Sequence, residues 1–182
     1  MKTYRSYSSA ETKKFGYKLA KKLANGKWPA SPKRERGRQR AGSKKAAVFA
    51  LTGELGSGKT TFVQGFFLGL GIKRRATSPT FIIFRRFRIS GSSVPPRPRS
   101  GRGSPKGGKG QVSSVRSVYH VDAYRIKKPS ELDVLGLKEI LRDPQNIVLI
   151  EWAENIKEVL PKSTIWLKFH HGRKENERIV KC

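Results

Sequence analysis

Acidic residues are scarce in this chain: 13 Asp and Glu stand against 40 Lys and Arg among 182 residues, a formal net charge of +27. An imbalance of that size points to an acidic partner, such as nucleic acid or an anionic membrane. Cysteine is nearly absent, and the single Cys182 excludes an intrachain disulfide. Long apolar runs are missing too. No stretch approaches the roughly 18–20 residues of a membrane span, and the opening MKTYRSYSSAETKK has no apolar run of the kind a signal peptide carries. The expectation is a soluble cytoplasmic chain with no membrane partner, long enough to bury a substantial core.

Two tracts concentrate the charge. Residues 27–46 hold 8 basic residues and one acid, Glu35, while residues 85–117 hold 9 basic residues and no acid. Residues 88–117 also contain no aromatic residue and are rich in Gly, Pro and Ser, so they supply nothing to a core.

Between the tracts, periodic patterns return. SSAE at 8–11 reads as a capping box, and Phe15, Leu19 and Leu23 follow at a spacing of four, predicting a helix that ends near Asn25-Gly26. AAVFALTG (46–53) and NIVLIEW (146–152) are short apolar runs typical of buried strands. Phe62, Val63, Phe66, Phe67 and Leu70 predict a helix stopping at Gly71. TFIIFRRFRI (80–89) and SVYHVDAYRI (117–126) read as strands flanking the second tract. SELD at 130–133 opens a helical region that Asp143-Pro144 closes. TIWLKFH (164–170) and ERIVK (177–181) suggest a terminal hairpin. Strands alternating with helices indicate an α/β fold.

GELGSGKT at 53–60 satisfies G-x-x-x-x-G-K-[ST]. Gly53, Gly56 and Gly58 allow the tight turn that converges backbone N–H groups on phosphate oxygens. Lys59 supplies a cation to the β- and γ-phosphates, and Thr60 offers a hydroxyl to Mg²⁺. Ser57 and Thr61 complete the expected phosphate-binding set. An apolar strand before the motif and an amphipathic helix after it separate this match from a chance Gly-rich turn. IVLIE then places Glu151 at a strand end, where a carboxylate belongs beside the metal's water shell. The other reading of Glu151 is a solvated surface acid. Asp122 is the second candidate acid, the alternative being a strand-end ion pair with Arg125. No N-K-x-D occurs, so ATP rather than GTP is the expected nucleotide.

GELGSGKTTFVQGFFLGLGI, TSPTFIIF, VYHVDAYRI, SELDVLGLKEIL and IVLIEWAE, in this order, resemble the bacterial TsaE family, from about Ser8 to Pro161. The family is the P-loop ATPase of tRNA threonylcarbamoyladenosine biosynthesis. The resemblance implies a P-loop NTPase-like fold with a mixed central sheet flanked by helices. The expectation is a single domain over 1–182, interrupted by basic loops 27–46 and 88–117. It further implies that Thr80, in Ser78-Pro79-Thr80, senses the γ-phosphate or metal, and that Asp122 orders the attacking water. Glu151 becomes a metal-associated glutamate, Trp152 the aromatic beside the nucleotide, and Thr12 a neighbour of the base. Weak Mg²⁺-dependent ATP hydrolysis, in company with TsaD and TsaB subunits acting on the adenosine beside the anticodon, is the implied function. Glu54 and Ser57 depart mildly from the family's usual aspartate and alanine, and the basic tracts exceed the usual connections.

Two readings of the basic tracts stay open: charged loop insertions, or extra phosphate contacts to tRNA that make affinity fall steeply with salt. A small-molecule P-loop kinase and an RNA-binding protein with a vestigial nucleotide site are the competing functions. His170-His171 is a poor metal pair, because adjacent strand residues face opposite ways. Tyr119, Tyr124 and Phe84 suit core packing better than base stacking.

Overall fold

A computed structural model describes residues 2–24, 45–73, 84–89, 115, 117–128 and 131–182. Most of both basic tracts, Asn25-Gly26, Ser130 and Thr80 lie outside them. The elements run β1 (Thr3–Ser6), α1 (Ser9–Ala24), β2 (Ala47–Thr52), α2 (Lys59–Gly69), β3 (Phe84–Arg88), β4 (Ser117–Asp122), α3 (Glu131–Val134), α4 (Leu137–Arg142), β5 (Asn146–Glu151), a 3₁₀-helix (Ala153–Val159), β6 (Ile165–His171) and β7 (Arg178–Lys181). The strands form one seven-stranded sheet in the order β1-β7-β6-β2-β5-β4-β3. β2 pairs in parallel with both β5 and β6, and β5 in parallel with β4, while the outer pairings are antiparallel. The expected mixed α/β sheet flanked by helices is therefore present.

The apolar runs occupy the centre because both of their faces are covered. Every residue of β5 is buried. On one face Phe49, Leu51, Val118, Ile147 and Leu149 pack with Phe62, Val63 and Phe66 of α2 and Leu19 and Ala20 of α1. On the other, Val48, Ala50, Tyr119, Val121, Val148 and Ile150 pack with Leu132, Leu137, Leu141 and Ile156. Residues of alternate parity thus go to different layers, and only one of those layers carries the P-loop helix.

Several local expectations are modified. Ser8 caps α1 by accepting from Glu11 N at 3.2 Å, but the returning Glu11 carboxylate accepts from Tyr7 N at 2.7 Å rather than from Ser8. The buried stripe of α1 is Thr12, Gly16, Leu19 and Ala20, turned from the Phe15–Leu19–Leu23 line. Small residues face α2 because the helices meet backbone to backbone: a Cβ on Gly16 would strike the Phe62 carbonyl, and one on Gly65 the Lys13 carbonyl. The helical region after residue 130 is two short helices, broken at Gly136 with φ 71°. β4 stops at Asp122, so Tyr124 and Arg125 form a turn instead of extending the strand. β1 carries no apolar alternation, and its pairing with β7 was not anticipated.

The predicted terminal hairpin forms from β6 and β7. Its turn is closed by the buried Glu177, whose carboxylate accepts from Arg173 N at 2.8 Å, Lys174 N at 3.3 Å and the Arg5 guanidinium at 2.9 Å. Burial pushes this carboxyl up, but the two amides and Arg5 outweigh it and hold it below its ordinary 4.5. A depressed carboxyl stabilises the fold above its unfolded value, and that contribution disappears as pH falls through the folded value. We expect thermal melts of the natural chain to lose midpoint more steeply below about pH 4.5 than those of Glu177→Gln. Equal slopes in the two series would remove this role.

Candidate nucleotide site

The parallel strands β2, β5 and β4 end side by side, with Leu51 opposite Glu151 and Glu151 opposite Asp122. Glu151 continues the row of Ile147 and Leu149, and Asp122 the row of Val118 and His120, so both acids project on the α2 face. Directly beyond β2 the chain turns through Gly53 (φ 129°), Gly56 (φ 73°) and Gly58 (φ 98°), conformations that side-chain-bearing residues seldom adopt. Gly58 delivers Lys59 as the first residue of α2.

Lys59 is buried, and its Nζ donates to the carbonyls of Gly53 at 2.6 Å and Glu54 at 2.8 Å. The same ammonium lies 3.8 Å from the centre of the Trp152 ring. Burial lowers the Lys59 pKa, against the opposing pull of Glu151, Glu154 and Asp122. Thr60 Oγ1 donates to Glu151 Oε2 at 2.7 Å, and His120 Nε2 lies 2.8 Å from Glu151 Oε1. Asp122 is half-buried and accepts from Tyr124 N at 3.1 Å. Trp152 has φ 58°, the left-handed region, and this turn brings its indole back over Lys59.

The cradle suits a polyphosphate. Its glycine conformations exclude Cβ atoms, and Ser57 Oγ is buried with no hydrogen-bond partner among the described residues. A hydroxyl and a carboxylate joined at Thr60 and Glu151 are hard oxygen donors, which suits Mg²⁺. Thr61 sits half-buried on the first turn of α2, within the same loop-to-helix junction.

Thr12 is placed behind the loop. Its hydroxyl is 2.7 Å from Ser6 Oγ, and its methyl would lie 3.5 Å from a Cβ on Gly58. Thr80 falls outside the described residues. Tyr124 is a correction: it is 62 % exposed and rests against the Trp152 ring at 4.9 Å, because β4 ends before it. Tyr119 is buried as expected, with Phe84 6.2 Å away.

Four contacts escaped sequence reading. Arg178 Nε donates to the Gly56 carbonyl at 3.0 Å, and His171 Nε2 donates to the Leu55 carbonyl at 3.0 Å, so the terminal hairpin holds the outer side of the loop. Gly53 N points to Glu154 Oε1 at 3.5 Å. His120 sits two residues before Asp122 on the same face, so strand parity held a signal for it. Arg178 and His171 had none, since their partners lie more than a hundred residues away.

A family model described as threonylcarbamoyl adenosine biosynthesis protein TsaE matches residues 6–95 and 108–180. The chain belongs to the TsaE family. The gap in the match, residues 96–107, falls inside the second basic tract. Among relatives, the TsaE protein of Bacillus subtilis (strain 168) is 36% identical over 138 residues, covering 76% of this chain and 70% of that protein. The TsaE protein of Streptomyces coelicolor is 34% identical over 137 residues, covering 74% and 76% respectively. Both are named tRNA threonylcarbamoyladenosine biosynthesis proteins. The crystal structure of Bacillus subtilis YdiB superposes with a TM-score of 0.58 at 26% identity, over 98% of this chain and 82% of that one. No described helix of this TsaE-family chain is long and apolar enough to cross a membrane.

Proposed function

We propose that this chain binds and weakly hydrolyses Mg²⁺-ATP in the cytoplasm, and that this activity drives tRNA threonylcarbamoyladenosine formation together with TsaD-like and TsaB-like subunits. The supporting observation is the junction of loop and strand ends, where Lys59, Thr60, Glu151 and Asp122 meet in a member of the TsaE family. In this reading the loop amides and Lys59 bind the phosphates, with Lys59 leaving the Gly53 and Glu54 carbonyls to do so. Thr60 and Glu151 hold the metal, whose charge neutralises the phosphate oxygens when it is bound. Asp122 orients a water for attack, and Thr80 senses the γ-phosphate. Thr12 supports Gly58 from behind, and Trp152 with Tyr124 walls the site; the neighbourhood of Thr12 to the base is what the family resemblance implies.

Contact with tRNA through the basic tracts belongs to the same proposal, supported by the net charge of +27. The deciding experiment measures threonylcarbamoyladenosine formation on added tRNA, with TsaD-like and TsaB-like partners, ATP and an activated threonylcarbamoyl donor, with and without this chain. Multiple-turnover product is expected only with it. Equal product in both reactions overturns the proposal, and stoichiometric phosphorylation of a metabolite would favour a kinase.

A further inference from the structure

His120 is fully buried in the middle of β4, on the layer otherwise filled by Val118, Leu149 and Phe67. Its ring stands edge-on to Phe67 at a centroid distance of 5.9 Å and an angle of 82°. One ring nitrogen, Nε2, is 2.8 Å from Glu151 Oε1. The other, Nδ1, is buried with no hydrogen-bond partner among the described residues. An apolar side chain would fill this place without stranding a polar atom, and an imidazole left half-satisfied is a costly way to fill a core. The one interaction that an imidazole makes here and an aliphatic group cannot is the hydrogen bond to Glu151.

That bond has a geometric consequence. Glu151 is itself buried, and its two oxygens are divided between two neighbours: Oε1 faces His120, and Oε2 accepts from Thr60 on the loop helix. With Nε2–H as donor, His120 ties down the inner oxygen and leaves the outer one aimed at the site. Rotation of the carboxyl about its last bond is thereby prevented from two sides. Phe67 fixes the imidazole in turn, so the chain of contacts runs from the helix core through His120 and Glu151 to Thr60.

We propose that His120 is a positioning residue of the metal site, holding Glu151 in the rotamer that presents Oε2 beside Thr60. It touches neither nucleotide nor metal and acts through Glu151. Partners of metal-associated carboxylates commonly govern metal affinity by about 10–100-fold.

The proposal rests on the ATP and Mg²⁺ reading, and its test separates the two. The probe is ADP carrying a fluorescent N-methylanthraniloyl group, titrated with and without Mg²⁺, so that no turnover is needed. In the natural chain Mg²⁺ is expected to tighten binding. In His120→Leu the Mg²⁺-free affinity stays within about twofold, whereas the Mg²⁺ concentration for half-maximal tightening rises about tenfold. Gln and Asn variants decide the matter even where the leucine variant folds poorly. Gln at 120 places an amide where Nε2 stood and is expected to restore the Mg²⁺ response. Asn is as polar but falls one carbon short of Glu151, and is expected to behave like Leu. Equal Mg²⁺ responses in the Gln and Asn variants, or a natural response in His120→Leu, overturn the positioning role. A natural chain that binds the labelled nucleotide equally with and without Mg²⁺ overturns the metal reading and, with it, this one.

Discussion

Lys59→Ala is expected to lower single-turnover ATP hydrolysis by about 10²–10³-fold, the scale on which one preformed charge donor acts in a phosphoryl or oxyanion site. The ammonium is already desolvated, held by the Gly53 and Glu54 carbonyls and covered by Trp152. A cation already stripped of much of its water gives up less hydration when it meets a phosphate, which is where its effect comes from. Lys59→Arg is not a rescue, since a planar guanidinium does not fit a seat shaped for a point charge between two carbonyls and an indole. Folding should survive the alanine change, because Glu54 is exposed and Gly53 only half-buried, so water can replace the lost donor. Phosphate release measured beside a thermal melt tests both statements. Hydrolysis within tenfold of the natural chain would remove Lys59 from the chemistry and leave the loop as structure only.

Gly65→Leu is expected to be the most damaging change to stability. A first methyl at this position already overlaps the Lys13 carbonyl across the helix pair, and that obstacle is backbone, not a flexible side-chain end. α1 is also held by Phe15, which stacks on Tyr4 at 4.2 Å and meets Phe62 of α2 at 5.5 Å. The helices have to part, at a cost of about 3 kcal/mol, which lowers Tm by roughly 6–12 °C in a chain of this size. The damage reaches the site, because α1 carries the Thr12 methyl that backs Gly58. Nucleotide affinity should fall along with Tm, as read by calorimetry and titration on one sample. A melt within 2 °C of the natural chain, by the same scale, would mean that the helices do not meet as described.

Legibility followed the range of the interactions. The phosphate loop, its helix and the strand ending in Glu151 are local signals, set by glycine, apolar periodicity and one acid within a few residues. The layer assignment of Glu151 and Asp122 follows from strand parity, and His120 was readable by the same rule. Tyr124 was misjudged because nothing local marks where an aromatic strand stops. β1 escaped because its pairing with β7 draws on backbone groups at the far end of the chain rather than on side-chain pattern. The Arg178 and His171 contacts to the loop depend on that same distant closure. The turn of α1 toward Thr12 and Gly16 reflects a close approach to α2 that hydrophobic spacing alone does not encode.

Arg88 and Ser117 stand directly opposite each other on β3 and β4. The ends of whatever chain joins them are therefore fixed about one strand spacing apart, ~5 Å, regardless of its length. Each doubling of such a segment costs only about 0.6 kcal/mol of closure entropy. Asp122 lies at the opposite end of β4, so growth or shrinkage at this edge leaves the loop–carboxylate geometry untouched. A change of length or charge here therefore acts on the surface beside β3 and β4 and not on the positions of Glu151 and Asp122. The proposed tRNA contact and the nucleotide chemistry thus start from opposite ends of one strand.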